Sequence, residues 1–294
     1  MFLDLEVKSS SLNLYILTDN LGPSLCVKVN GASHSACIIA RIEASKGNQN
    51  KLVVMPPCNM IPFERNNFTD KSKFYSEDES DSAEEDLDAE PEIEAATILH
   101  QGAVNRVRAK QHMGQYLTAS WSENRSVFIW DLMRPLTAID DSAVMTEYTH
   151  HNESPLPICA FNDHASEGFA VDWSHHTSAT GYLATGDCGG HIFHWISRPT
   201  DWAVSKKAHV GHKNHVEDIQ WSPTEPTVFI SVSSDHSIQV WDIRAPVSNC
   251  RMITVCEAHP ADINVASWNQ SQRTNFLTGG DDGTLRIWDL RLIQ

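Results

Sequence analysis

Four short apolar stretches, each ending at a tryptophan, recur along the last two thirds of the chain. The tryptophans are Trp130, Trp195, Trp241 and Trp288, and three of the four are followed by Asp. Their spacings are 65, 46 and 47 residues, and the last two match the length of a four-stranded repeat unit. Residues on both sides of these strands are mostly apolar, which is typical of sheets covered on both faces. The pattern predicts tandem β-sheet repeats.

Two further sets of residues keep the same period. One is a set of upstream tryptophans: Trp173, Trp221 and Trp268. The other is a set of histidines: His164, His212 and His259. Both sets are spaced by 48 and 47 residues. Three markers therefore predict four repeats, at 95–132, 161–196, 209–244 and 256–291.

The long first spacing predicts an insert at 133–160. This insert is polar and contains Pro135, Pro155 and Pro157, so we expect an irregular surface loop. Residues 1–60 alternate β-rich runs with turns containing Gly, Pro and Asn, and they predict one four-stranded N-terminal unit without the tryptophan signature. Its four runs lie at 12–18, 25–29, 36–42 and 51–55.

Most of the formal net charge of −16 lies in one segment. That segment has eleven acids and no base: Glu77, Asp78, Glu79, Asp81, Glu84, Glu85, Asp86, Asp88, Glu90, Glu92 and Glu94. Subtracting these eleven charges leaves −5, which is ordinary for 294 residues. Because residues 61–94 contain too little apolar surface to offset the entropy of ordering, they are predicted to be disordered.

Other features narrow the class of protein. No run of about 18 apolar residues is present, so no membrane span is predicted. Acids interrupt residues 1–8, where a signal peptide needs an apolar run, which favours an intracellular protein. The seven cysteines are odd in number and form no C-x-x-C, so free thiols are expected rather than disulfides or structural zinc.

Polar residues also recur at fixed offsets from the four strand-ending tryptophans. Ten residues before each stands a hydroxyl: Ser120, Thr185, Ser231 and Thr278. Six residues before each stand, in order, Asn124, Gly189, Asp235 and Asp282. A histidine lies 29 to 31 residues before each: His100, His164, His212 and His259. Such a set can form a chain of hydrogen bonds from indole through hydroxyl and imidazole to carboxylate, which buried polar groups require.

These repeats resemble WD repeats, which form β-propellers. The resemblance implies an all-β fold and two structural tetrads, one of His212, Ser231, Asp235 and Trp241, the other of His259, Thr278, Asp282 and Trp288. The first two repeats have Asn124 and Gly189 at the Asp position, so looser networks are expected there. Relatives of this class have seven blades and this chain supplies about five, so we expect an incomplete propeller truncated at both ends.

A closer resemblance rests on stretches at 168–174, 183–188, 211–225 and 279–291, and on residues 105–108 following an acidic run. These are similar to the glutamate-rich WD-repeat proteins, relatives of the histone-binding WD-repeat proteins. The resemblance implies a nuclear, nucleolar protein that assembles the large ribosomal subunit on pre-ribosomal particles. It also implies chaperoning of a basic ribosomal protein, and histone binding.

The acidic residues themselves favour a basic partner. Closely spaced carboxylates attract Lys- and Arg-rich proteins such as histones or ribosomal proteins, although a solvated spacer remains the alternative interpretation. Ser76 and Ser82 each precede an acid by three residues and are candidate phosphorylation sites. Direct nucleic-acid binding is disfavoured because like charges repel.

No catalytic or cofactor-binding motif emerges, so no enzyme and no cofactor are predicted. The run His209-x-x-His212-x-x-His215 has metal-like spacing, but His212 is already assigned to a tetrad. Two repeats end in Trp-Asp-x-Arg, with Arg244 and Arg291. Each Arg could pair with a nearby Asp. The boxes also resemble a motif by which WD-repeat proteins dock to the adaptor of cullin ubiquitin ligases, which implies adaptor binding as the alternative. The alternative function is therefore that of a ligase substrate receptor.

Overall fold

The computed structural model describes residues 12–16, 27–29, 32–34, 38–42, 50–55, 95–150, 155–176, 180–247 and 250–293. The predicted disordered segment 61–94 lies outside these residues. No helix in the described ranges is long and apolar enough to span a membrane.

The N-terminal strands form one four-stranded sheet and one hairpin. In chain order they are β1 (Leu12–Ile16), β2 (Val27–Val29), β3 (Ala32–His34), β4 (Ile38–Ile42), β5 (Lys51–Met55) and β6 (Ala96–Leu99). The sheet is antiparallel in the order β1-β4-β5-β6, while β2 and β3 pair only with each other. The expectation that residues 1–60 supply all four strands of this sheet was wrong, since its outer strand β6 comes from the start of the next repeat.

Four more sheets follow. The second contains β7 (Val104–His112), β8 (Gln115–Ser122), β9 (Ser126–Asp131) and β10 (Cys159–Phe161). The third contains β11 (Ala170–Trp173), β12 (Tyr182–Gly186), β13 (His191–Ser197), β14 (Trp202–Val204) and β15 (His209–Val210), with β14 and β15 both on β13. The fourth contains β16 (Val216–Trp221), β17 (Val228–Ser233), β18 (Ile238–Asp242) and β19 (Arg251–Val255), and the fifth contains β20 (Ile263–Trp268), β21 (Asn275–Gly280) and β22 (Leu285–Asp289).

The inner strands of successive sheets lie side by side. Trp173 Nε1 on β11 donates to the Arg108 carbonyl on β7, and Trp221 Nε1 on β16 donates to the Asp172 carbonyl on β11, each at 2.9 Å. The amide of Ala266 on β20 donates to Asp218 on β16 at 3.1 Å. Apolar side chains fill the spaces between the sheets, including the fully buried Trp121, Trp195, Trp221 and Trp241. The predicted all-β propeller architecture is confirmed.

All four inner strands run in the same direction, which gives the propeller two distinct ends. Asn105, near the start of β7, donates to the Gly168 carbonyl just before β11. We call the end where the inner strands begin the upper end, and the opposite one the lower end. In the first sheet Val54 pairs with Ala96 and Lys51 pairs with Leu99. Because β6 leads directly to the start of β7 at the upper end, β5 ends and β6 begins at the lower end.

The first part of the insert at 133–160 is helical, so the expectation of an irregular loop was wrong there. It contains helices α1 (Met133–Asp140) and α2 (Ser142–His150). Pro135 lies in the first turn of α1, where its missing N–H costs no helical hydrogen bond. Leu136 and Ala138 of α1 are buried, and Tyr148 of α2 donates to the Thr97 carbonyl at 2.7 Å. The insert is therefore packed against β6 at the lower end.

Candidate partner-binding surface

The structure brings the predicted tetrad of the third repeat together. Trp241 Nε1 donates to Ser231 Oγ at 2.8 Å, and Ser231 Oγ lies 2.6 Å from His212 Nε2. His212 Nδ1 lies 3.3 Å from both carboxylate oxygens of Asp235. These contacts fit a neutral imidazole that accepts from the hydroxyl and donates to the carboxylate. These hydrogen bonds tie the two middle strands of this sheet, β17 and β18, to the residues that precede its inner strand β16.

The fourth repeat repeats the same geometry. Trp288 Nε1 donates to Thr278 Oγ1 at 2.8 Å, and Thr278 Oγ1 lies 2.8 Å from His259 Nε2. His259 Nδ1 lies 3.1 Å from Asp282 Oδ2. The four residues form one continuous chain of hydrogen bonds, as the resemblance implied.

The second repeat has a complete network, which corrects the expectation of a looser one. His164 Nε2 lies 3.0 Å from Thr185 Oγ1, and Trp195 Nε1 donates to the same hydroxyl at 3.1 Å. The carboxylate comes from Asp187, whose Oδ2 lies 3.1 Å from His164 Nδ1. Asp187 stands two residues before Gly189, the position at which repeat alignment places the acid. A fully buried Asp187 therefore replaces the missing side chain.

The first repeat lacks a carboxylate in its network. His100 Nε2 lies 2.9 Å from Ser120 Oγ, which also accepts from Trp130 Nε1 at 2.8 Å. His100 Nδ1 donates to the backbone carbonyl of Gly102 at 2.9 Å, in place of an acid. Burial lowers the pKa of His100, so the neutral imidazole fits this arrangement. A neutral carbonyl is a weaker acceptor than a carboxylate, which agrees with the looser network expected for the first repeat.

The acids of the tetrads ionise more readily than ordinary carboxyl groups. Burial alone would raise the pKa of Asp235, but hydrogen bonds from His212 and Ser237 outweigh it, so this pKa lies well below its usual range. Burial also raises the pKa of Asp187, but the hydrogen bonds from His164 and from the His191 amide, together with the two nearby imidazoles, outweigh it and lower this pKa. Both carboxylates remain charged at neutral pH and hold their histidines in one orientation.

Three acids converge at the upper end of the last two sheets, and we call them the upper acidic cluster: Glu217, Asp262 and Asp281. Glu217 follows the first residue of β16, Asp262 precedes β20, and Asp281 follows β21. The backbone amide of Asp281 donates to the carbonyl of Asp262 at 2.9 Å, which fixes these two residues beside each other. The side chain of Asp262 is 49% exposed, so this cluster is accessible to a partner.

The electrostatics of the cluster show that its charges are close. Burial raises the pKa of Glu217, the charges of His215 and Arg106 oppose the rise, and the negative charges of Asp262 and Asp281 add to it. His215 Nδ1 lies 3.7 Å from Glu217 Oε1, and His236 Nε2 lies 3.4 Å from Asp262 Oδ1. The positive charge of Arg106 also lies close to Glu217, so the three carboxylates share their surroundings with one permanent cation. A Lys or Arg side chain would relieve this repulsion.

The other predicted partner-binding acids, at 77–94, lie outside the described residues, as do Ser76 and Ser82. Sequence reasoning missed the upper acidic cluster because its members are 45 and 19 residues apart and only folding brings them together. It also missed Asp172 and Asp218 on the inner strands. Asp172 accepts the Trp221 amide at 2.8 Å. The sequence contained one signal for these two acids, because each stands inside an apolar strand and a buried carboxylate requires a partner.

The two candidate ligase-adaptor arginines each pair with the Asp of their own box. Arg244 Nη2 lies 2.5 Å from Asp242 Oδ2, and Arg291 Nη2 lies 2.6 Å from Asp289 Oδ2. The hydrogen bond from Arg291 lowers the pKa of Asp289 to about 2. The Arg side chains are 65% and 71% exposed, so both remain available to a partner.

The three histidines with metal-like spacing point to different partners. His209 Nδ1 lies 2.8 Å from Cys250 Sγ, and its Nε2 lies 2.7 Å from His194 Nδ1. His212 belongs to its tetrad and His215 faces Glu217. Within the described residues no group of three or more His, Cys, Asp or Glu side chains could hold a metal ion.

Comparison with known proteins agrees with this geometry. The family model described as "WD domain, G-beta repeat" matches residues 205–242 and 250–289. Glutamate-rich WD repeat-containing protein 1 of Dictyostelium discoideum is 35% identical over 258 residues, covering 84% of this chain and 49% of the relative.

Two other relatives are similar over shorter or comparable lengths. Ribosome assembly protein rrb1 of Schizosaccharomyces pombe is 31% identical over 272 residues, covering 91% of this chain and 52% of that protein. Protein HEAT STRESS TOLERANT DWD 1 of Arabidopsis thaliana is 38% identical over 155 residues, covering 52% of this chain and 32% of that protein. The chain spans about half the length, or less, of these curated relatives.

Proposed function

Because the chain belongs to the WD-repeat family, we propose that it is a non-enzymatic scaffold or chaperone in the biogenesis of the large ribosomal subunit. Its client is a basic ribosomal protein within pre-ribosomal particles. The names of two relatives support this proposal, one being a glutamate-rich WD-repeat protein and one a ribosome assembly protein. The proposed location is the nucleus and nucleolus, where such particles form.

The observation that carries the proposal is the upper acidic cluster. Glu217, Asp262 and Asp281 lie at the same end of the propeller, and a cation that binds there is attracted by all three carboxylates. It also adds to Arg106 in relieving the repulsion that Asp262 and Asp281 exert on Glu217. The acids at 77–94 add a second source of negative charge. Together they steer a Lys- and Arg-rich protein toward the propeller, and shape selection follows on its surface.

A co-purification experiment with matched charge variants tests the proposal. One variant, Asp262→Asn with Asp281→Asn, removes two charges from the upper acidic cluster. Its control, Glu147→Gln with Asp201→Asn, removes two charges from exposed positions elsewhere. We expect the first variant to lose most of the bound large-subunit ribosomal proteins and the control to retain them. Equal retention by both variants would contradict the use of this surface.

The acids at 77–94 need their own variant. Replacing all eleven by their amides keeps the length of the segment and removes its charge. We expect this variant to capture basic ribosomal proteins at least tenfold less than wild type. In the otherwise unchanged chain, the phosphomimetic variant Ser76→Asp with Ser82→Asp should strengthen capture. Purified histones added in competition would rank the two kinds of client. Preferential retention of histones would replace the ribosomal client with a histone.

A second candidate function is that of a substrate receptor for a cullin ubiquitin ligase. The exposed Arg244 and Arg291, each held by the Asp of its box, favour it. Similarity to a relative whose name contains DWD points in the same direction. Arg244→Ala with Arg291→Ala should abolish pull-down of the ligase adaptor and leave client capture unchanged. Retained adaptor binding in this variant would exclude the candidate.

A further inference from the structure

Two repeats carry a histidine, a phenylalanine and a tryptophan ring at matching positions. These rings are His100, Phe128 and Trp130 in the first repeat, and His164, Phe193 and Trp195 in the second. Each Phe stands two residues before its Trp, a position that Gln239 and Arg286 occupy in the other two repeats. The first two repeats can therefore be compared ring by ring.

A fourth ring completes the set in the second repeat. It belongs to Phe161, at the end of β10. Its centroid lies 5.3, 5.0 and 5.4 Å from the rings of His164, Phe193 and Trp195. All three contacts are edge-to-face, a geometry that aromatic rings prefer. Since β10 is the outer strand of the second sheet, the fourth ring packs across the space between the second and third sheets.

Within the described part of the chain the first repeat has no corresponding fourth ring, and a cavity lies beside its three rings instead. The outer strand of the preceding sheet, β6, has the sequence Ala-Thr-Ile-Leu and contains no aromatic residue. A cavity of 490 Å³ touches His100, Phe128 and Trp130, and we call it the aromatic pocket. Pockets that bind organic ligands have volumes of roughly 300–1,000 Å³, so this one can admit a large side chain.

The mouth of the aromatic pocket is apolar and carries no charge. Leu99 and Leu156 line it and are 47% and 85% exposed, and Leu156 stands between two prolines. None of the described residues that line the pocket is Asp, Glu, Lys or Arg. The side-chain amides of Gln101 and Asn124 also line it, and amides can pair with the backbone of an extended peptide. The mouth therefore suits a neutral, extended segment rather than a highly charged one.

We propose that the aromatic pocket binds an aromatic side chain, such as Phe, from an extended segment of a partner protein. The incoming ring makes with His100, Phe128 and Trp130 the contacts that Phe161 makes with their counterparts in the second repeat. A ring is favoured over an aliphatic side chain because edge-to-face contacts add to the burial of apolar area. The pocket lies between the first and second sheets, apart from the upper acidic cluster, so the chain can hold this partner and a basic client together.

Methyl NMR spectra of the full chain test the site with a peptide probe. The probe is a neutral 12-residue peptide of Gly and Ser with one central Phe, and its controls carry Leu or Ala at that place. We expect the Phe peptide to shift the methyl signals of Leu99 and Leu156 through ring currents, and to bind threefold to tenfold more tightly than the Leu peptide. Equal binding of the three peptides, or shifts confined to other leucines, would overturn the proposal.

Matched variants locate the binding on the chain. Leu156→Asp places a charge at the mouth of the pocket, and Met113→Asp makes the same kind of change at another exposed position, where the side chain is 75% exposed. Substitutions at such exposed positions leave the fold intact. We expect the first variant to bind the Phe peptide at least fivefold more weakly than wild type and the second to match wild type. Equal affinities of the two variants would reject the pocket as the binding site.

Salt and charge variants separate this site from the proposed function. Binding of the Phe peptide should be the same at 50 and 200 mM salt, because the pocket and the peptide are uncharged. It should also be unchanged in Asp262→Asn with Asp281→Asn, whether or not that variant loses the basic client. Peptide binding that falls with added salt or with these substitutions would place the peptide on a charged surface and overturn the proposal.

Two other occupants give distinct outcomes. If N-acetyl-phenylalaninamide alone binds as tightly as the Phe peptide, the pocket is a site for a small aromatic molecule and the extended segment is rejected. If the wild-type chain forms dimers that Leu156→Asp dissociates, the occupant is a second copy of the chain, and the proposal is again overturned.

Discussion

Arg106 Nη1 lies 3.3 Å from Asp218 Oδ1, an ion pair between two inner strands that are not neighbours. Arg106 is on β7 and Asp218 on β16, and β11 lies between them. The other oxygen of Asp218 accepts the Ala266 amide of β20 at 3.1 Å. One carboxylate, 2% exposed, thus holds together the second, fourth and fifth sheets at the upper end.

We expect Asp218→Ala to destabilise the protein by about 3 kcal/mol, because it removes the acceptor of both the Arg106 guanidinium and the Ala266 amide. Asp218→Asn keeps an acceptor for Ala266 and should cost about half as much. Urea unfolding measures both. The partner variant Arg106→Gln completes a double-mutant cycle, and a coupling energy near zero would show that the ion pair contributes nothing.

In the second repeat, the acid bound to the histidine is Asp187 rather than residue 189, so its position can be exchanged by mutation. Asp187→Ala leaves His164 without its acceptor and should lower stability by about 2 kcal/mol. Adding Gly189→Asp to that variant places an acid at the position used in the third and fourth repeats. We expect it to recover part of the loss in thermal unfolding. If the double variant is no more stable than the single one, the carboxylate of this repeat depends on its backbone position.

The contact between His194 and His209 predicts a stability that falls in acid. Burial lowers the pKa of both to about 4, whereas an unfolded histidine titrates near 6.5. The unfolded chain therefore takes up protons first, and stability decreases as the pH falls from about 6.5 to 4. His209→Leu should make Tm less dependent on pH across that window. An unchanged slope would assign the acid sensitivity to other groups.

Ionised Glu217 is expected to cost stability rather than supply it. Burial, together with the charges of Asp262 and Asp281, raises its pKa more than His215 and Arg106 lower it, so the folded chain holds this proton more tightly than the unfolded one. Stability from this group is present below pH 4.5 and lost as the pH rises through the folded pKa. Glu217→Gln should raise Tm slightly at pH 7 and leave it unchanged at pH 3.5. A lower Tm at pH 7 would contradict the assigned repulsion.

The sequence predicted the tetrads where spacing alone determines them. His212 and Asp235 are 23 residues apart in the chain, and so are His259 and Asp282. Asp187 was not assigned to its network because it lies two residues before the expected position, at the start of the same turn between β12 and β13. Arg106 and Asp218 are 112 residues apart, and no periodic pattern predicts their contact.

Burial also depends on neighbours that a pattern does not contain. Ile238 and Val240 stand three residues and one residue before Trp241 and are 0% and 4% exposed. Leu285 and Ile287 stand at the same offsets before Trp288 and are 71% and 77% exposed. Alternation thus indicates which residues share a face, but the adjoining sheet decides whether that face is covered. The helices of the insert were missed for a related reason, since their apolar residues pack against a distant strand.

The most direct test of the central claim is the affinity of a purified basic ribosomal protein of the large subunit, measured by calorimetry at 50 and 200 mM salt. The account predicts that the affinity for the wild-type chain falls roughly tenfold over this range, because the contacts are between exposed charges. Amides at all eleven acids together with Asp262→Asn and Asp281→Asn should remove both the tight binding and its dependence on salt. Tight binding that persists in this variant, or that ignores the salt concentration, would contradict the account.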